Sequence, residues 1–255
     1  LALHLPTFAL AGLKLIPIIS TISSSIGTII FQKNSVELLC KILTQSAVSS
    51  AATKITKAFE RTIELQNIRP TILPETKHIN SLLGAGDVIA ITGRSGVGKT
   101  TFVQCILGLR GYNGQLFVDG EQVDMLSNCC YISQNANIDG MTIDELLRLY
   151  GATIKDLISN KCTSRIYDDF GQFDGSVRIG RLSGGQKNRL RLAKAFFKNY
   201  DILILDETLA NVEQAKRKFV IEEVRRINKL VLVITHDHDV IDLCNAELKL
   251  EKIDE

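Results

Sequence analysis

Gly93-Arg94-Ser95-Gly96-Val97-Gly98-Lys99-Thr100-Thr101 is the stretch on which the fold turns. It fits the spacing GxxxxGK[ST], and the residues before it, Asp87 to Thr92, read as a short β-rich strand. A glycine-rich turn between strand and helix lets successive backbone N–H groups converge on one point, where the helix adds its positive end. Lys99 supplies a compact, mobile charge for the β- and γ-phosphates of a nucleotide, and the Thr100 hydroxyl is placed to ligate Mg²⁺. The strand before the loop and the helix after it separate this pattern from an ordinary glycine-rich turn.

Working outward, Gln115 to Asp119, Cys129 to Ser133, Asp201 to Leu205 and Leu230 to Thr235 are also short, apolar and β-rich, with helical runs between. The last two are nearly continuous Leu, Ile and Val, as parallel strands covered on both faces must be. Three of these runs end in residues able to do chemistry: Gln134, the pair Asp206-Glu207, and His236. Ligands of α/β domains gather at the C-terminal ends of the strands, which raises each above a lone Gln, Asp or His. His238 forms His-x-His with His236, but no cysteine or third histidine stands nearby to complete a metal set. A second phosphate-facing turn is Leu182-Ser183-Gly184-Gly185-Gln186. Ser183 can cap the following helix while the two glycines leave its N–H groups bare.

A phosphate loop alone leaves kinases, GTPases and motors open. With Leu182-Ser-Gly-Gly-Gln186 downstream of it, the chain resembles the ATP-binding cassette family from about Ile63 to the C-terminus. The resemblance implies an α/β fold: a P-loop NTPase core of mainly parallel strands, an antiparallel β portion and a helical signature subdomain. It implies ATP and Mg²⁺ as ligands, with Gly93 to Thr101 on the phosphates and Thr100, Gln134 and Asp206 around the metal. Glu207 would polarise the attacking water, and His236 would contact the γ-phosphate. Gln134 would also sense a membrane domain. Ser183, Gly184, Gly185 and Gln186 would close on the ATP of a second copy, so the expected partners are another cassette, as a homodimer, and a transmembrane domain.

Three departures from the family pattern follow. No aromatic lies in Asn67-Ile-Arg-Pro-Thr-Ile72, where the family stacks one on adenine; Arg69 is the one planar candidate there. Ala210-Asn-Val-Glu213 ends in glutamate where aspartate is usual. Ser176-Val-Arg-Ile-Gly-Arg181 is basic where exporters carry a glutamate facing the membrane domain.

Residues 1 to 31 are mostly apolar, broken by His4, Pro6, Lys14 and Pro17. They read as the end of a spanning helix leaving the membrane near Lys14, or as a buried soluble helix. Phe31 to Leu65 is patterned as a helix running into a linker, and Pro70 and Pro74 mark a turn region. The expected organisation is 1–62 as the end of a transmembrane domain and 63–255 as the cassette. Ala9 to Pro17 and the Ser-rich run to Gly27 resemble the last span of exporter-type cassette proteins, nearest to flippases of lipid-linked oligosaccharides. A start at Leu1 instead of Met suggests a piece of a longer protein, and the opening stretch lacks the basic leader and cleavage site of a signal peptide.

Composition narrows the classes. The 255 residues carry 45% hydrophobic and 23% charged side chains, an ordinary globular balance, and a net charge of +2 that makes no case for nucleic-acid binding. Six cysteines without a CxxC pair read as reduced thiols of a cytosolic domain. The rival readings are a soluble cassette ATPase and an ATP-gated scaffold. The first predicts a second cassette or long coiled coil, and the second predicts loss of Glu207 or His236; neither is seen.

Overall fold

The computed structural model describes residues 59–133, 137–210, 212–227 and 229–253. The expected spanning helix, the extension up to residue 58, Gln134 and Asn211 lie outside them. Among the described residues no helix is long and apolar enough to cross a membrane.

Two sheets organise the domain. An antiparallel sheet of order β2-β1-β4-β5 contains β1 (Thr62–Pro70), β2 (Ile79–Gly84), β4 (Tyr112–Val118) and β5 (Glu121–Val123). A parallel sheet of order β6-β7-β8-β3-β9 contains β3 (Val88–Thr92), β6 (Cys129–Ser133), β7 (Ile202–Asp206), β8 (Leu230–Ile234) and β9 (Ala246–Lys249). The helices are α1 (Lys99–Ile106), α2 (Ile143–Tyr150), α3 (Ile154–Ser159), α4 (Gly184–Leu192), α5 (Lys194–Phe197), α6 (Gln214–Arg226) and α7 (His238–Ile241). Mainly parallel core, antiparallel portion and a helical segment between β6 and β7 match the expected class.

One expectation needs correction. The helical pattern assigned up to Leu65 ends in strand: Thr62 to Leu65 opens β1 and pairs with both β2 and β4. Period two wins there, since Ile63 and Leu65 are buried and Glu64 between them is exposed. The N–H groups of Glu60, Arg61 and Thr62 donate to the Asp119 carboxylate at 2.8–2.9 Å, which fixes where the strand begins.

Every residue of β3, β7 and β8 is buried. Successive side chains point to opposite faces, so each strand feeds two cores. Leu203, Leu205, Val231 and Val233 pack with the helical segment, among Leu147, Phe170, Leu190 and Leu192. Ile202, Ile204, Leu232 and Ile234 pack with α1 and the antiparallel sheet, among Phe102, Val103, Leu65 and Leu116. Each such side chain contributes about 1.5–3 kcal/mol on burial. The parallel order sends the C-terminal ends of β6, β7, β8 and β3 to one edge.

Candidate functional site

That edge gathers most of the residues singled out in the sequence. After β3 the chain turns through two glycines whose backbone no other residue could share. Gly93 has φ +137°, and a Cβ there would stand 2.5 Å from the Leu250 carbonyl oxygen. Gly98 has φ +105°, and its Cβ would meet Leu73 Cδ1 at 2.3 Å. Gly98 is also the N-cap of α1, with no side chain capping the helix, so the first N–H groups of α1 remain for an anion. Lys99 is buried, and its Nζ donates to the carbonyls of Gly93 (2.9 Å) and Arg94 (3.2 Å). The ammonium is thereby folded over the loop that it serves.

Strand β7 ends beside the start of α1. Thr100 Oγ1 donates to the Asp206 carboxylate at 3.1 and 3.2 Å, and the Tyr131 hydroxyl donates to Asp206 Oδ2 at 2.6 Å. Burial first, then that bond to Asp206, pushes the Tyr131 phenol above its ordinary pKa, so it stays a donor. A buried carboxylate beside a hydroxyl is a hard oxygen set of the kind Mg²⁺ takes, so the residues present fit the ion. Glu207 follows with φ +50°, a left-handed backbone that swings its side chain off the strand; its N–H donates to the Ile234 carbonyl of β8 at 3.0 Å. His236, largely exposed, brings Nδ1 to 3.8 Å from Glu207 Oε1. Lys99, Thr100, Asp206, Glu207 and His236 therefore stand at one edge.

The turn Leu182 to Gln186 is built differently. Ser183 Oγ accepts from the Gln186 N–H (3.2 Å), and Gln186 Oε1 accepts from the Ser183 N–H (3.0 Å), a reciprocal cap at the head of α4. Gln186 Nε2 continues to Asp169 Oδ2 at 3.2 Å. Buried Arg189 grips the same carboxylate by both nitrogens, at 2.5 and 2.8 Å, and donates to the Ile166 carbonyl at 2.8 Å. The Arg189 hydrogen bond holds the Asp169 carboxyl far below the usual range. Lys216 adds an ion pair to Asp168 at 2.5 Å.

The base-stacking region is equally specific. Asn67 has φ +53° at a bulge in β1, its N–H bonded to Asn80 Oδ1 at 2.7 Å. Arg69 Nη1 donates to the Pro74 carbonyl at 3.3 Å, so its guanidinium ties down the Pro70–Pro74 turn. Glu213 is the N-cap of α6, with no side-chain cap bond.

Sequence reasoning did not single out Tyr131, Arg217 and Asp237 at this edge, nor Asp169 and Arg189 behind the turn at Ser183. For Tyr131 a signal existed, since strand alternation puts it on the face of Ser133, two residues from the strand end. Asp169 and Arg189 are 20 residues apart and share no local pattern.

A family model described as ABC transporter matches residues 76–210. The methionine import ATP-binding protein MetN of Mannheimia succiniciproducens is 28% identical over 216 residues, 74% of this chain and 62% of that protein. The mating factor M secretion protein mam1 of Schizosaccharomyces pombe is 29% identical over 244 residues, 86% of this chain and 18% of that protein. A probable ABC transporter ATP-binding/permease protein of Haemophilus influenzae is 26% identical over 65% of this chain and 33% of its own length. The chain thus spans less than two thirds of each of these relatives. In fold it is similar to a bacterial Atm1-family ABC exporter solved with ATP bound, at TM-score 0.68 and 19% identity, over 78% of this chain and 39% of that one. The family match covers just over half of the sequence and includes the phosphate loop, the signature turn and the acidic end of β7, and on it the chain belongs to the ABC transporter family.

Proposed function

We propose that the chain is the ATP-hydrolysing engine of an exporter- or flippase-type transporter, working as a pair of cassettes on the cytoplasmic side of a membrane. The observation that carries this reading is the meeting of Thr100 with Asp206 and of Glu207 with His236 at one sheet edge, beside Lys99. The loop N–H groups and Lys99 take the phosphates of ATP. Thr100 and Asp206, with Gln134, would hold Mg²⁺, which would supply positive charge to offset that of the phosphates. Glu207 orients the attacking water and accepts its proton, and His236 stands by the γ-phosphate. The products leave as ADP and inorganic phosphate.

Ser183, Gly184, Gly185 and Gln186 serve the nucleotide of the other copy. A two-fold axis supplies one phosphate loop and one signature turn to each of two ATP molecules. The expected organisation stands as part of the proposal: 1–62 ending a transmembrane domain, 63–255 forming the cassette, and no nucleic-acid partner. A secretion protein and an ATP-binding/permease protein among the relatives support the exporter type. The resemblance of Ala9 to Gly27 to the last span of flippases of lipid-linked oligosaccharides supports a lipid-linked cargo. With no aromatic in Asn67 to Ile72, ATP and GTP are expected to bind within about tenfold of each other, about 1.4 kcal/mol being a decade.

The test uses the full chain with Mg-ATP. Glu207→Gln should lower turnover about 10²–10⁴-fold while calorimetric ATP affinity stays, and Lys99→Ala should remove binding. With Glu207→Gln, ATP should shift the chain to a dimer in size-exclusion chromatography, and adding Ser183→Arg should reverse that. Phosphate release by the wild type no faster than by Glu207→Gln would sink the reading.

A further inference from the structure

Arg217, in the first turn of α6, makes three connections that none of the roles above requires. Its Nε donates to the Val212 carbonyl at 2.5 Å and its Nη2 to the Ala210 carbonyl at 3.1 Å. Its Nη1 pairs with the Asp237 carboxylate. The first two acceptors belong to the turn that follows Glu207, whose carbonyl receives the Ala210 N–H at 3.3 Å. The third belongs to the residue after His236.

Asp237 is itself fixed. Its N–H donates to Thr235 Oγ1 at 3.1 Å, and its Oδ1 accepts the Asp239 N–H at 3.0 Å, capping α7. Gln214 Nε2 bonds Asp239 Oδ2 at 2.8 Å, a second tie between α6 and α7. The connections close a ring: Glu207, the turn after it, Arg217, Asp237, His236, and back to Glu207 across 3.8 Å. His236 is 70% exposed, so its place comes from the backbone on either side and not from packing around its ring. Only 16% of the Arg217 side chain is exposed, so removing it strands three partners in a poorly hydrated place.

We propose that Arg217 is a positioning residue that holds the turn after Glu207 and the turn carrying His236 in one register, so that hydrolysis depends on it and nucleotide binding does not. This rests on the reading of Glu207 and His236 given above. The guanidinium suits the task because its donors form a rigid planar fork, whereas a lysine offers one compact charge. The Lys99 ammonium is held by the carbonyls of Gly93 and Arg94, so the main charge offered to the phosphates is placed by the loop and not by Arg217.

The experiment compares the full chain with Arg217→Ala, Arg217→Lys and the isosteric Asp237→Asn, each checked for folding by circular dichroism. Steady-state phosphate release gives kcat and KM, calorimetry gives the Mg-ATP affinity, and the ring signal of His236 is followed by NMR, assigned with His236→Asn. Arg217→Ala is expected to lower kcat tenfold or more with Mg-ATP affinity changed less than threefold. Arg217→Lys should resemble Ala, and Arg217→Ala combined with Asp237→Asn should be no worse than the more impaired single variant. The His236 signal should shift or broaden in all three. Wild-type kcat with an unmoved His236 signal would overturn the proposal, as would parallel losses of kcat, affinity and folding in Asp237→Asn. If the wild type releases no phosphate, the functional reading fails instead, and the NMR signal with the calorimetry still decides whether Arg217 places His236.

Discussion

The strand-end half of the domain and its helical half each shape a helix N-terminus, by opposite means. Around β3 and β7 the shaping is done by backbone: Gly93, Gly96, Gly98 and Glu207 all have positive φ, and α1 has no side-chain cap. Between residues 138 and 200, Gly151 is the one such position among the described residues. The three capping boxes of the described residues all fall there, at Thr142, Thr153 and Ser183, and the Asp169–Arg189 pair braces the last of them. One half is therefore vulnerable to added atoms, the other to lost charges and hydroxyls.

The largest effect should come from one methyl group. Gly93→Ala forces a Cβ against the Leu250 carbonyl oxygen, which is backbone and cannot rotate away. A loss of roughly 3 kcal/mol or more is expected by urea denaturation. A cost below about 1 kcal/mol would mean that the strand-end half relaxes as easily as the helical one.

Next is the brace. Asp169→Asn leaves the buried Arg189 cation without its carboxylate, and roughly 2–3 kcal/mol should be lost, below the 3–5 of a fully buried pair because Asp169 is partly open to water. Acid acts on the same half. Glu145, Asp156, Asp169 and Asp174 all have lowered pKa values in the fold, chiefly through hydrogen bonds to their carboxylates. Their stabilisation is complete above the ordinary values of 3.8 and 4.5 and fades as pH falls below them. Amide exchange should therefore show the helical half loosening before β3, β7 and β8 as pH drops from 5 towards 3, a window set by those carboxylate values.

Smaller effects sharpen the contrast. Ser183→Ala removes one cap and should cost about 1 kcal/mol. At Glu207 the sign reverses: glycine tolerates φ +50° where alanine does not, so Glu207→Gly should be the more stable of the two by about 1 kcal/mol, both lacking turnover. Equal stability would show that Glu207 is not strained, and the backbone half of the comparison would lose its clearest non-glycine case.

What could be read from the sequence follows the same division. The phosphate loop, the β7 strand with its two acids and the signature turn are contiguous runs, each with a local physical cause. Cys129–Ser133 is a strand with the bounds expected, β3 and β8 differ from expectation by one residue at one end, and β7 is shifted by one residue at both. Strand β1 was hidden by a bulge at Asn67 and by Pro70 at its end, which broke the alternation. The links that hold the site in shape, Tyr131 to Asp206, Asp169 to Arg189 and Arg217 to Asp237, join residues 75, 20 and 20 positions apart. No periodicity marks such pairs, because folding alone makes them neighbours.

The bond from Tyr131 to Asp206 gives the molecule an optical property. The chain contains five tyrosines and no tryptophan, so its ultraviolet emission is tyrosine emission alone. Tyr112, Tyr167 and Tyr200 donate to backbone carbonyls, whereas Tyr131 donates to a carboxylate. An excited phenol can pass its proton to a hydrogen-bonded carboxylate, so Tyr131 is expected to be the dimmest of these four. Whatever draws Oδ2 of Asp206 away from that hydroxyl should brighten it, so a rise in the emission of the unlabelled protein is the signal expected of events at its acidic strand end.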